Sequence, residues 1–318
     1  MLKKSIVFIT FVGVVVLAGL AVINKQQIKD YYVVSTTDVQ PAAASIQSSI
    51  KLTGKGDFLY EASRPQVLSS SAFNAACKNV AEEHSVILGC YTNQRFYVYS
   101  IDDARLDGVE EVTAAHELLH AVYERMTTTE QQTIDKQLVA VANTIQDEHF
   151  KETVEAYRKA ESGQLNNELH SILGTEIAVL PATLEQHYAQ YFSDRQTIVA
   201  YSNQYQEIFR ESERQRDVYE AQRTTLKSQI DQINQQIDDL QKTLNSKQQE
   251  LQALRSTSVA AYNAQVPTYN ALISDYNTLI DQVKRYIATY NDIIAKENAL
   301  AVTQNELQQL LDSNYQTK

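Results

Sequence analysis

From residue 226 to residue 307, apolar side chains return every seven positions, and no other feature restricts the fold of this chain so tightly. In the first run Leu226, Ile230, Ile233, Ile237, Leu240 and Leu244 alternate steps of four and three. The run continues at Leu251 and Leu254, with Lys247 at the one missed position. Gln, Asn, Asp and Lys fill the other faces, as in a coiled-coil seam. In the second run Tyr262, Tyr269, Tyr276, Val283 and Tyr290 share one heptad position. Leu272, Leu279, Tyr286, Ile293, Leu300 and Leu307 follow three residues later, with Ile273, Ile280, Ile287 and Ile294 next to them. Asn follows at 263, 270, 277 and 291, so this is an internal repeat of period seven.

Two architectures satisfy these runs. Residues 256–267 separate them, and Pro267 disfavours an unbroken helix there. The runs either fold back as an antiparallel hairpin within one chain, which is the preferred reading, or form one kinked helix that pairs with another molecule. The wider apolar stripe of the second run suits more than one neighbour. Buried Tyr hydroxyls need partners, so the seam is expected to be partly wet.

Composition agrees with long helices and few turns: 318 residues contain 8 Gly and 4 Pro. A net charge of −11 speaks against a nucleic-acid partner, because phosphate binding is driven by Lys and Arg. At the N-terminus, Lys3 and Lys4 precede a stretch without charge that ends at Ile23. Residues 6–23 would make about 27 Å of helix, close to the hydrocarbon thickness of a bilayer. Residues 1–24 are therefore expected to be an uncleaved transmembrane anchor, with a cleaved signal peptide as the alternative. The lysines keep the short end cytoplasmic and place the rest of the chain outside the cytoplasm. Residues 25–51 read as a polar tether.

From residue 52 the composition becomes that of a small mixed α/β region. Residues 95–101 (R-F-Y-V-Y-S-I) form the clearest strand, and 71–84 a short helix. Cys77 and Cys90 are the only cysteines, and on the outer side of a membrane they are expected to pair.

Residues 112–122 read V-T-A-A-H-E-L-L-H-A-V. Ala and Leu favour a helix here, and no Gly or Pro interrupts it. His116 and His120 stand four apart and so project from one side, where two ring nitrogens can share a tetrahedral zinc ion. Glu117 sits beside that position without ligating it, placed to take a proton from a metal-bound water. The bland alternative is an ordinary amphipathic helix. With Thr113 before it and uncharged residues at 114, 118, 119 and 121, the stretch resembles the extended signature of zincin metallopeptidases.

A third protein ligand has to come from downstream. Position 123 is Tyr and 126 is Met, so the longer metzincin motif is absent. The segment N-N-E-L-H-S (166–171) resembles the second motif of gluzincins such as the thermolysin-like peptidases. That resemblance implies Glu168 as the metal carboxylate, Asn167 as its companion and Ser171 as the small residue that lets two helices approach. Glu176 is the competing ligand. His170 is a candidate ligand or donor to the oxyanion of the tetrahedral intermediate, with His187, Tyr188 and Tyr191 as alternatives. Glu168 lies 48 residues beyond His120, a longer interval than in thermolysin-like enzymes. Helices are also expected over 130–160, capped at Thr127, and over 182–201.

The chain is thus expected to be mainly α with a small α+β part. It divides into a transmembrane helix (1–24), a tether (25–51), a zincin-like domain (52–201) and a coiled-coil arm (202–318). The activity implied is zinc-dependent hydrolysis of peptide bonds in a peptide or protein substrate, at the cell membrane and outside the cytoplasm. Residues 96–100 are expected to offer a strand edge to that substrate, or else to be a plain core strand. The arm is expected to meet a coiled-coil partner or a second copy, or to block the cleft. The alternative function is an envelope scaffold or adhesin with an inactive zincin-like domain.

Overall fold

The computed structural model describes residues 25–78, 87–160 and 163–315. Of these, the residues up to Ile208 and those from Leu307 form one compact unit, and Phe209–Glu306 form a second.

The first unit begins with a correction to the expected tether. Residues 25–51 form two helices, α1 (Lys25–Thr36) and α2 (Pro41–Ser49). Pro41 opens α2, where its missing N–H costs nothing. Ala43, Ile46 and Ile50 are fully buried in the core. Their spacing of three and four is an amphipathic stripe, but one too short to stand out from the surrounding Ser, Gln and Ala. Asp30 of α1 holds Arg125 through two bonds, Nε–Oδ2 and Nη2–Oδ1, both 2.9 Å.

Helix α3 (Gly54–Ala62) follows, capped by Thr53, whose Oγ1 accepts from the Gly56 N–H. Then come β1 (Gln66–Leu68), α4 (Ser70–Cys77), β2 (Gly89–Thr92) and β3 (Arg95–Tyr99). The sheet order is β1-β3-β2, with β1 parallel and β2 antiparallel to β3. Asn93 and Gln94, with φ of 52° and 59°, make the two-residue turn between β2 and β3. Positive φ at both positions matches the twist of the hairpin. Phe96 and Val98 are buried and their neighbours half-buried, as alternation demands. Both flanks of β3 are occupied, so the expectation that it lends an edge to a substrate is overturned and the core-strand alternative holds. Cys77 and Cys90 form a disulfide that ties the end of α4 to β2.

Helix α5 (Val109–Glu124) runs through the middle of the unit, with Ala114, Ala115, Leu118, Leu119 and Ala121 fully buried. Helix α6 (Thr128–Ala142) starts with a reciprocal cap between Thr127 and Glu130. The single helix expected over 130–160 is two. Asp147 accepts from the Phe150 N–H at 2.8 Å and starts α7 (Glu148–Ala160) afresh. Helix α8 (Leu165–Glu176) packs on α5. The helix expected over 182–201 is likewise split into α9 (Ala182–Tyr188) and the start of α10 (Arg195–Thr257), where Asp194 accepts from the Gln196 N–H. Within this unit Ser313 is latched to α4: its carbonyl accepts from Ser70 Oγ and Asn74 Nδ2.

In the second unit α10 and α11 (Val259–Leu311) pair antiparallel, as the preferred hairpin reading expects. Ile233 and Ile237 pack with Val283, and Arg223 Nε lies 3.7 Å from Glu297 Oε1. The reversal occurs at Ser258, inside the segment 256–267 expected to separate the runs. Pro267 lies inside α11 and is exposed, so the sequence-based break at that residue is corrected too.

The localisation read from the sequence also requires correction. Among the described residues no helix is long and apolar enough to cross a membrane. Residues 1–24, on which the anchor reading rested, lie outside the described residues. What bears on compartment is the Cys77–Cys90 disulfide, a bond that persists in oxidising environments.

Candidate metal centre

Helix α5 places His116 and His120 one turn apart, with ring centroids 4.8 Å from each other. Glu168, in the first turn of α8, reaches both. His116 Nε2 lies 3.5 Å from Glu168 Oε2, and His120 Nε2 lies 3.5 Å from Oε1. Two ligands about 2.1 Å from one tetrahedral ion are themselves about 3.4 Å apart, so the spacing fits a shared ion. The three ligand atoms lie within 4.8 Å of one another, and the group could hold a metal ion. Its side chains keep between 10% and 17% exposure, which leaves them reachable from outside.

Their orientation is set by neighbours. Asn167 Oδ1 is 3.0 Å from His120 Nδ1, and Ser171 Oγ is 3.3 Å from the same atom. With the proton on Nδ1 donated to Asn167, the Nε2 lone pair is free to face Glu168. Burial pushes the Glu168 carboxyl up, but His120 and His116 beside it, with a hydrogen bond from Tyr157, hold it below its ordinary range.

Close helix contact makes this possible. Ser171 is fully buried, and a β-carbon on Gly174 would lie 2.4 Å from Leu119 Cδ1 and 2.7 Å from Tyr188 Cε1. Arg195 closes the far end of α8, donating to the carbonyls of Gly174, Ile177 and Ala178 and pairing with Glu185. It thereby satisfies carbonyls that the helix end leaves open.

Glu117 is 5% exposed, and its Oε2 has no hydrogen-bond partner among the described residues. Burial pushes its carboxyl up to about 8, with His120 opposing and Glu168 adding to the rise. A carboxyl in that position is incomplete without a cation or a proton nearby. The edge strand β2 presses on it: a β-carbon on Gly89 would lie 2.5 Å from Glu117 Oε1 and 2.6 Å from Thr113 Cγ2. This geometry rests on the chain alone. The chain matches no family model, no curated protein and no solved structure.

The other expected site residues are placed elsewhere. Glu176 ends α8 two turns beyond Glu168 and accepts from Gln206 Nε2 at 3.3 Å, so it does not join the metal group. His170 lies about 200° round α8 from Glu168. It is fully buried, with Nε2 2.8 Å from His187 Nε2. Burial first, and then His187 and His120, hold its ring well below the ordinary imidazole range. A side chain so enclosed cannot touch a substrate oxyanion, so neither role expected of His170 survives. His187 faces His170, and the Tyr188 hydroxyl donates to the His170 carbonyl at 2.8 Å. Tyr191 is buried against His187.

Sequence reasoning missed Tyr157 and Gly89. Tyr157 is one aromatic among many on an amphipathic helix. Gly89, directly before Cys90, carried a weak signal as a glycine inside a strand, which often marks a close approach.

Proposed function

We propose that the protein is a zinc metallopeptidase of gluzincin type. The observation that carries this is the convergence of His116 Nε2 and His120 Nε2 on the two oxygens of Glu168, with the buried Glu117 carboxyl, its Oε2 without a hydrogen-bond partner among the described residues, on the same helix. Two imidazoles and one carboxylate, with a position left open, are the donor set of catalytic zinc. When bound, zinc acidifies a coordinated water and polarises the carbonyl to be attacked.

The residues of the chain then divide the work. Glu117 accepts the proton of the attacking water and passes it to the leaving amine. Burial that raises its carboxyl also makes it a proton donor near neutrality. Asn167 holds the His120 ring. Tyr157, whose hydroxyl already bonds the Glu168 carboxylate, takes the oxyanion-donor role first expected of His170. The peptide lies along β2, the outer strand against Glu117, and not along β3.

The test uses quenched peptide libraries with the zinc-loaded chain, beside Glu117→Gln and Tyr157→Phe. The expected result is cleavage by the wild type, abolished by 1,10-phenanthroline. Zinc is retained in both variants, with loss of at least a thousandfold in Glu117→Gln and at least tenfold in Tyr157→Phe. Zinc binding without any cleavage would give the protein to the scaffold reading instead.

A further inference from the structure

The second unit carries a surface that the hairpin does not use. On α11 the hairpin seam takes two heptad columns, with Val283 and Ile293 buried. The next column, Val259, Val266, Ile273, Ile280, Ile287 and Ile294, lies on its flank, with Ile280 packed against the seam and Val266 and Ile294 half-buried. There Val259 is 68% exposed, Ile287 43% and Ile273 37%. This β-branched stripe runs about 50 Å along the helix.

Beside it stand two further columns, both exposed. One is Asn at 263, 270, 277, 291, 298 and 305, interrupted by Lys284. The other is mostly small: Ala260, Ser274, Ala288 and Ala295, interrupted by Pro267 and Asp281. Between residues 259 and 305, all of them described, these columns hold two charges, Asp281 and Lys284. The side of α11 turned away from them carries Asp275, Arg285, Asp292 and Lys296. Depletion of charge over so long an exposed face is the compositional mark of an interface core.

The two charges identify the occupant. They are opposite in sign, three residues apart and at the middle of the face, where they pair within the helix at 3.6 Å. A two-fold axis between positions 282 and 283 sets Asp281 of one copy against Lys284 of the other, twice. The same axis sets Asn277 opposite Ala288, Asn270 opposite Ala295, and Asn291 opposite Ser274. Over the middle of the face Asn thus meets a small side chain, with Val302 and Pro267 facing Asn263 and Asn298 toward its ends, and the Ile stripe seals the rim. A parallel pairing would instead set Asp281 against Asp281. A face complementary to itself under one rotation is what an isologous dimer requires.

We propose that this face of α11 joins two copies of the chain antiparallel, turning two hairpins into a four-helix bundle. The inference is independent of the metallopeptidase reading.

Sedimentation equilibrium of the full chain tests it, with Asp281→Lys, Lys284→Asp, the double exchange, and Ile273→Glu combined with Ile287→Glu. All four positions are exposed, so the hairpin is expected to keep its helical circular dichroism. The wild type is expected to be a dimer, weakened at least tenfold by either single reversal and by the paired Ile changes, and restored by the double exchange. The Ile variant also separates this face from any association through residues 6–23. A monomer at all concentrations would overturn the proposal and leave the face to a different partner. A dimer indifferent to Asp281→Lys, or one not restored by the exchange, would overturn it as well.

Discussion

Gly89 lies so close to Glu117 that a single methyl group on it would come within 2.5 Å of the carboxylate oxygen Oε1. The edge strand and the buried acid therefore fix each other's position. Since β2 is also tied through Cys90 to α4, the carboxylate is held by a covalently fastened strand. Gly89→Ala is expected to fold and to bind zinc, but to displace Glu117 and lower peptide hydrolysis at least tenfold. Full activity with zinc bound would contradict this placement.

Metal-free stability should depend on pH through the same carboxyl. Its pKa in the folded chain, about 8, lies above the ordinary value of 4.5. The folded state thus holds a proton that the unfolded state has lost, and stability falls as pH rises from 4.5 through 8. Glu117→Gln removes that dependence. In urea unfolding with chelator present, the wild type is expected to lose on the order of a few kcal/mol relative to the variant between pH 5 and pH 8. Parallel pH curves for the two proteins would contradict the burial account.

Asn167 touches the candidate metal group through His120. Replacing it by Ala removes the acceptor 3.0 Å from Nδ1 and frees the ring to turn. A loss of roughly 10–100-fold in zinc affinity is expected, the usual effect of removing such a support. Competition titration against a chelator of known affinity measures it, and an unchanged dissociation constant would remove Asn167 from the site.

The ion pair Asp30–Arg125 fastens α1 to the end of α5, with both side chains under 10% exposed. Asp30→Ala leaves the guanidinium buried without its partner and is expected to destabilise the first unit by about 3–5 kcal/mol. Arg125→Met combined with Asp30→Ala should recover part of that loss. A single-variant cost below about 1 kcal/mol in denaturant unfolding would show that α1 is only loosely attached.

Much of this was legible in the sequence, for particular reasons. The heptads fix α10 and α11, because a period of seven has few other structural meanings. The spacing of His116 and His120 fixes their common side, and the segment around Glu168 points to the one of two carboxylates that the fold brings to both imidazoles. Other features depend on tertiary contacts. Residues 25–51 look like a linker because only Val33, Ala43, Ile46 and Ile50 are buried apolar residues there, and only the core shows that they are fastened. The strand 95–99 looks like an available edge because the flanking strands β1 and β2 are three and four residues long. His170 sits two residues from Glu168, and helical rotation alone turns it to the opposite side.

The most direct test of the account is zinc content per chain by elemental analysis, after reconstitution and gel filtration, for wild type, His116→Ala, Glu168→Ala and Glu176→Ala. The account predicts one zinc in the wild type and in Glu176→Ala, and loss or strong weakening in the other two. A wild type that takes up no zinc, or a Glu168→Ala protein that binds it as tightly as wild type, would contradict it.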